Sequence, residues 1–300
     1  MLLGGIEAGG TKCLCVVGTG PADIRAERRI PTTSPAETLA AILDFFASQY
    51  PAHGALAALG VGSFGPVDLD PGSPAYGCIT STPKPGWAGT DVVGTLRRAL
   101  DVPVAFDTDV NAAAIGEWRH GAGQGLDTLL YLTVGTGIGG GALVGGRPVH
   151  GLVHPEMGHV RIPHDRIGDP FPGVCSFHAD CLEGLACGPA IAARWEQPAD
   201  SLPPDHPARA LEARYLALAL HTFVCTLSPQ RIVLGGGVMQ QPGLLSLVRR
   251  DLAMLLNGYI QSPALRGGLD SYVVAPALGA RSGVVGALAM AERALPTTLA

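Results

Sequence analysis

The sequence predicts an α/β fold built from two duplicated lobes, and three observations carry that prediction. A strand, a glycine-rich turn and a second strand occur twice, across residues 2–18 and again across 128–143. Each hairpin is followed by alternating helix-like and strand-like segments, as a repeated unit would be. The chain has 300 residues, enough to bury a large core, and chains of that length usually divide in two.

Residues 2–6 and 13–18 are short apolar runs around a Gly-Gly turn, the pattern of a β-hairpin. Residues 36–48 read as a helix, because Leu39, Ile42, Leu43 and Phe46 recur at helical spacing after a Thr-Ser-Pro start. Residues 57–61 are a buried-strand candidate. The Pro- and Gly-rich stretch from there to Trp87 is long for a compact domain and is expected to be a binding loop. A helix at 92–100, a strand at 102–107 and a helix at 110–120 complete the first lobe. The pattern then restarts with a hairpin at 128–134 and 139–143. Helices at 185–195 and 208–226, a strand at 231–234 and a helix at 243–256 follow. The expected division is a first lobe at 1–115, a second at 116–281, and a helix at 282–300 that returns to the first.

Formal net charge is −5 and the isoelectric point is near 6.0, the opposite of the basic footprint of non-specific nucleic-acid binding. Only two lysines, Lys12 and Lys84, stand against eighteen arginines. The longest uncharged stretch, 128–146, is so interrupted by glycine that it reads as strand-turn-strand and not as a membrane span. The opening residues carry no basic leader or cleavage site, so a cytoplasmic protein is expected, with neither nucleic acid nor membrane as partner. Seven cysteines, an odd number, fit reduced thiols better than a secreted disulfide framework.

Gly9, Gly10, Thr11 and Lys12 form a turn able to offer backbone N–H groups and a hydroxyl to a polyphosphate. Val134-Gly135-Thr136-Gly137-Ile138-Gly139-Gly140-Gly141 repeats the arrangement, with far more glycine than a turn requires. Neither segment ends as a Walker loop does, and neither has the strand-to-helix setting of a dinucleotide fingerprint. Two such hairpin turns point to the nucleotide site of actin and the sugar kinases. A third cluster, Gly235, Gly236 and Gly237, ends a strand where backbone could approach a base or ribose closely.

Between the first two turns lies Asp107-Thr108-Asp109-Val110-Asn111, which closes a strand and opens an alanine-rich helix. Asp109 could simply cap that helix. Flanked by two phosphate turns, it is expected to accept the proton of a substrate hydroxyl while magnesium and backbone donors stabilise the transferring phosphoryl group. Cys175, His178 and Cys181 add three soft ligands in seven residues, with His159 sixteen residues earlier. Together they fit a closed, structural zinc shell, with His154 and His164 competing for the fourth place. The polar, Pro-rich stretch 164–173 would need a pin.

The segments Gly-Ile-Glu-Ala-Gly-Gly-Thr-Lys, Asp-Thr-Asp-Val-Asn, Thr-Val-Gly-Thr-Gly-Ile-Gly-Gly-Gly, His154-Pro155-Glu156-Met157-Gly158-His159 and Cys181-Leu182-Glu183-Gly184 resemble the ROK family of sugar kinases and repressors across essentially the whole chain. Cys-x2-His-x2-Cys departs from that family's commoner Cys-x-Cys-Gly-x-x-Gly-Cys. With Glu7 in place of the usual aspartate, and with residues 62–68 and 80–87, it is similar to the bacterial zinc-containing fructokinase branch. The resemblance implies two actin-like (ribonuclease H-like) ATPase lobes with a cleft between them. It implies Asp109 as general base, Asn111, Glu156 and Glu183 on sugar hydroxyls, and zinc on His159, Cys175, His178 and Cys181. It implies ATP among Thr11, Thr133, Gly135, Thr136, Gly137, Pro189, Gly235, Gly236 and Gly237. The implied activity is ATP- and magnesium-dependent phosphorylation of a hexose, D-fructose to fructose 6-phosphate, by a homodimer. The alternatives are a glucose or mannose kinase and a sugar-binding regulator, which would need a helix-turn-helix before a hairpin that here begins at Gly4.

Overall fold

The computed structural model describes residues 1–203, 205–266 and 269–295. The last part of the expected terminal helix, 296–300, lies outside them. Two compact units emerge. The first holds Met1–Gln124, Pro148–Pro155 and the stretch from Ala280, and the second holds Gly125–Arg147 and Glu156–Gly279.

The first unit contains β1 (Leu3–Ala8), β2 (Lys12–Gly20), β3 (Asp23–Pro31), α1 (Pro35–His53), β4 (Ala58–Ser63), α2 (Val92–Leu100), β5 (Val104–Thr108) and α3 (Asp109–His120). The second contains β6 (Leu129–Val134), β7 (Ile138–Val144), α4 (Leu182–Ala186), α5 (Gly188–Trp195), α6 (Ala208–Leu227), β9 (Arg231–Gly235), α7 (Leu244–Leu256) and β10 (Val273–Val274), and β8 (Arg147–Pro148) lies at the boundary, with Arg147 in the second unit and Pro148 in the first. The helix α8 (Ser282–Ala294) belongs to the first unit.

The first sheet runs β3-β2-β1-β4-β5, antiparallel through β3, β2 and β1 and parallel through β1, β4 and β5. The second runs β8-β7-β6-β9-β10, the same order counted within its own unit, with β6 antiparallel to β7 and parallel to β9. In the first unit Cys13, Cys15 and Val17 share one core with Phe45, Phe46 and Leu96, while Leu14 and Val16 pack with Val284, Leu288 and Ala291 of α8. Burial on both faces is why these strands read as near-continuous apolar runs and not as alternating ones. Ser34 caps α1 and shares a capping box with Glu37, so that helix begins where its Thr-Ser-Pro start places it. Gly286 lets α8 lie directly on α3, since a Cβ there would collide with the carbonyl of Ala112.

The structure departs from the sequence reading in four places. The boundary expected at residue 115 would cut α3 in mid-helix, and it falls after Gln124 instead. Pro148–Pro155, expected in the second lobe, joins the first unit because His150 pairs with Asp107 and His154 accepts the N–H of Val67. β3 was not anticipated: Asp23, Arg25, Glu27, Arg28 and Arg29 give it the composition of a loop, and an edge strand tolerates such charge. The helix expected at 185–195 is two helices, broken at Cys187, whose φ of −75° and ψ of 164° are extended. Pro189 enforces that break by starting a new helix. By length and composition α6 could cross a membrane, but half of its apolar stretch is buried and it carries buried Glu212 and Arg209, as a core helix of a folded unit does.

Candidate active site

In the first unit Gly9, Gly10 and Thr11 link β1 to β2. Gly9 donates to the carbonyl of Lys12 at 3.0 Å, and the Thr32 hydroxyl grips the Gly9 carbonyl at 2.8 Å. The N–H groups of Gly10 and Thr11 have no partner among the described residues, and both residues are exposed. The turn therefore offers donors outward, the condition for an anion site. Glu7, at the end of β1, has its carboxyl pushed up to about 7 by burial and then by the negative charge of Asp109.

Thr108, not Asp109, is the cap of α3, its hydroxyl accepting the N–H of Asn111 at 3.1 Å. Asp109 is the first residue of the helix and its Oδ1 accepts the N–H of Val110 at 2.9 Å. Asp109 is thus not the N-cap residue of the helix. Desolvation pushes the Asp109 carboxyl up to about 6, against that hydrogen bond. Such a group is ionised at neutral pH yet basic enough to take a proton. Asp107 is buried and accepts from the Asn111 amide at 2.7 Å, and its other oxygen lies 3.0 Å from Nε2 of His150. That pairing raises the His150 pKa. Asn111 is 1% exposed, and its Oδ1 has no partner among the described residues.

In the second unit three glycine segments come together. Gly135 donates to Gly137 at 2.9 Å across the tip of the β6–β7 turn, and Gly188 donates to Gly135 at 2.7 Å, which brings Pro189 to the same place. Gly236 has a φ of +94°, and a Cβ there would strike the backbone of Val134; only glycine can hold this corner. The nitrogen of Gly237 lies 3.9 Å from the place a Cβ on Gly135 would occupy. Thr133 sits within β6, opposite Gly139 and Gly235, and Thr136 is exposed at the turn. Glu183 accepts the N–H of Ile138 at 2.9 Å, so one carboxylate oxygen braces the turn and the other is left for a further contact. Glu156 is exposed and its carbonyl accepts the N–H of His159 at 3.0 Å.

His159, Cys175, His178 and Cys181 converge so that one ligand atom from each lies within 4.8 Å of the others. The sulfur of Cys175 is 3.7 Å from Nδ1 of both His159 and His178, and that of Cys181 is 3.6 Å from Nδ1 of His159. Metal–ligand bonds of about 2.0–2.3 Å set tetrahedral edges of about 3.3–3.8 Å, so the four groups fit a zinc ion. The two competing histidines are engaged elsewhere. His154 Nε2 accepts the Val67 N–H at 3.0 Å, and His164 is held between Asp180 at 3.3 Å and the Asp169 carbonyl at 2.9 Å. The pin for residues 164–173 is Asp169, which takes the Tyr215 hydroxyl and Nε of Arg194. Spacing could not reveal it, because those partners are 46 and 25 residues away. Lys84, read only as part of a loop, donates to the Gly10 carbonyl at 2.6 Å; the scarcity of lysine was the available signal.

The chain matches known proteins over nearly its whole length. A family model described as the ROK family matches residues 3–294. The putative fructokinase of Bacillus subtilis (strain 168) is 45% identical over 294 residues, 98% of this chain and 96% of that protein. The fructokinase of Zymomonas mobilis is 44% identical over 296 residues, 97% of this chain and 96% of that protein. Among solved structures, a ROK hexokinase from Thermus thermophilus superposes with a TM-score of 0.78 at 27% identity, covering 98% of each chain. A ROK family glucokinase from Streptomyces griseus, solved with glucose and AMPPNP, does so with a TM-score of 0.76 at 26% identity, covering 98% of this chain and 100% of that one.

Proposed function

The chain belongs to the ROK family, and we propose that it is a fructokinase, transferring the terminal phosphoryl group of ATP to D-fructose to give fructose 6-phosphate. The choice of sugar is supported by 40–45% identity to four fructokinases and one putative fructokinase over nearly the whole chain. The chemistry is supported above all by Asp109, whose carboxyl is pushed up to about 6 by desolvation at the first turn of α3, where Thr108 is the cap. A sugar hydroxyl oxygen attacks the terminal phosphorus and its proton passes to the Asp109 carboxylate. The bond to the bridging oxygen breaks, and ADP leaves.

The remaining assignments follow from this reaction. Gly9, Gly10, Thr11 and Lys12 hold phosphate oxygens from the first turn, and Gly135, Thr136 and Gly137 from the second. Pro189 and the Gly235, Gly236 and Gly237 run border the nucleoside, while Asn111, Glu156 and the second oxygen of Glu183 take sugar hydroxyls. Glu7 and Asp109 supply hard oxygens of the kind magnesium accepts, directly or through water. When bound, that ion neutralises phosphate charge. Zinc on His159, Cys175, His178 and Cys181 would pin the segment that carries Glu156 and Glu183. Family resemblance supports a cytoplasmic homodimer.

The test is ADP release from MgATP across a panel of hexoses, with fructose expected to give the highest kcat/KM. A protein that releases no ADP with any hexose would refute the kinase assignment, while equal or better use of glucose would refute only the choice of sugar.

A further inference from the structure

The chain uses arginine for eighteen of its twenty basic side chains, so each lysine stands out as a place where arginine has not been used. Both lysines meet at one turn. Lys12 closes the Gly9-Gly10-Thr11 turn, and Lys84 arrives from a loop more than seventy residues later to donate to the Gly10 carbonyl at 2.6 Å. We propose that Lys84 is a phosphate-binding residue, its ammonium holding and neutralising the terminal phosphoryl group alongside the Gly10 and Thr11 amides. This rests on the phosphoryl-transfer reading above and adds to it a residue of the Pro- and Gly-rich binding loop.

The geometry suits that task. An ammonium carries three protons; with one on Gly10, two remain for anion oxygens. The Gly10 and Thr11 amides, which have no partner among the described residues, belong to the same turn as that carbonyl, so cation and amides can serve one anion. The loop that delivers Lys84 is stiff. Val67 pairs with Ile79 and Cys78 with Asp91 at its base, and Trp87 is buried against Phe64 with ring centroids 5.2 Å apart. The Trp87 indole N–H donates to the Thr33 carbonyl at 2.8 Å, next to Thr32, which braces Gly9. Lysine also suits the place better than arginine, because a compact point charge can approach one oxygen where the wide guanidinium fork would need two. As the β–γ bond breaks, negative charge builds on the phosphate oxygens, and a cation fixed beforehand gains most from meeting it.

Two measurements test the proposal. Lys84→Met should lower kcat by about 10²-fold, with KM for fructose changed less than threefold and the melting temperature unaltered; Lys84→Arg should recover only part of the loss. In the unaltered protein, acetylation with an N-hydroxysuccinimide ester, read by peptide mass spectrometry, should proceed at least fivefold more slowly at Lys84 when magnesium AMPPNP is bound. Lys84→Met with kcat within threefold of the parent, or acetylation of Lys84 at the same rate with and without nucleotide, would overturn the role. Either result in a parent protein that phosphorylates fructose leaves the kinase reading intact, whereas a parent without phosphoryl transfer refutes that reading instead.

Discussion

Replacing Asp109 by asparagine should separate catalysis from stability, because the structure assigns this side chain a cost in folding. Its carboxyl rises from 3.8 to about 6 in the folded state through desolvation. For a carboxyl raised on folding, the cost is complete above the folded pKa, shrinks as protonation sets in, and is gone below the unfolded value. At pH 7.5 it amounts to about 3 kcal/mol, at about 1.4 kcal/mol per pH step. Asparagine keeps the shape and an oxygen for the Val110 N–H and carries no charge. Asp109→Asn should therefore melt several degrees higher at pH 7.5, given about 2–4 °C per kcal/mol for units of this size, and show little gain at pH 4. Turnover should fall by about 10²–10⁴, since the proton acceptor is gone. In the unaltered protein kcat/KM should decline about tenfold for each pH step below 6, as the carboxylate is protonated. A coupled ADP-release assay and thermal melts at the two pH values measure both effects. A variant that keeps near-normal kcat, or that loses activity together with stability, would refute the argument.

Three further expectations follow from the other parts of the site. A strong chelator should strip metal from the four-ligand cluster and lower the melting temperature before activity is lost, and Cys181→Ser should do likewise; elemental analysis that finds no zinc in the purified protein ends this line. Thr136→Val should raise KM for ATP several-fold more than KM for fructose, because it removes one exposed hydroxyl at the second turn, and an unchanged KM for ATP would leave that turn a mere hairpin. Fructose should exceed glucose in kcat/KM by about tenfold or more, equivalent to about 1.4 kcal/mol of transition-state binding.

The sequence made some features legible and hid others for physical reasons. Both hairpins were readable because glycine at a turn and apolar residues beside it are local signals, and the cysteine and histidine spacing exposed the four-residue cluster that could hold a metal. β3 was hidden because an edge strand exposes its charged side chains and mimics a loop. The break at Cys187 was hidden because apolar residues continue through it at helical spacing; the only cue was Pro189, which suits a first turn. Thr108 as the cap of α3 and His159 as the fourth member of the cluster needed coordinates, since their rivals Asp109, His154 and His164 are equally plausible by type and position. Lys84, which reaches Gly10 across 74 residues, and Asp169, whose partners lie on α5 and α6, are long-range relations that no local pattern encodes.

The two glycine turns occupy the same position in the same sheet order, yet they divide their labour differently. In the first, the Gly10 and Thr11 amides have no partner among the described residues, and two lysines bring positive charge. In the second, Gly135 donates to Gly137 and Ile138 to Glu183, and no lysine or arginine lies within the segment 134–141. In that segment the Thr136 and Gly137 amides and the Thr136 hydroxyl have no partner among the described residues. Hydrogen bonds from neutral donors are weaker than those from charged ones, but a donor fixed in a turn has a set direction where a lysine ammonium acts as a rotatable point charge. Loss of charge at the first turn should therefore fall mainly on kcat, where phosphate charge develops, and loss of the hydroxyl at the second mainly on KM for ATP, where the nucleotide is oriented.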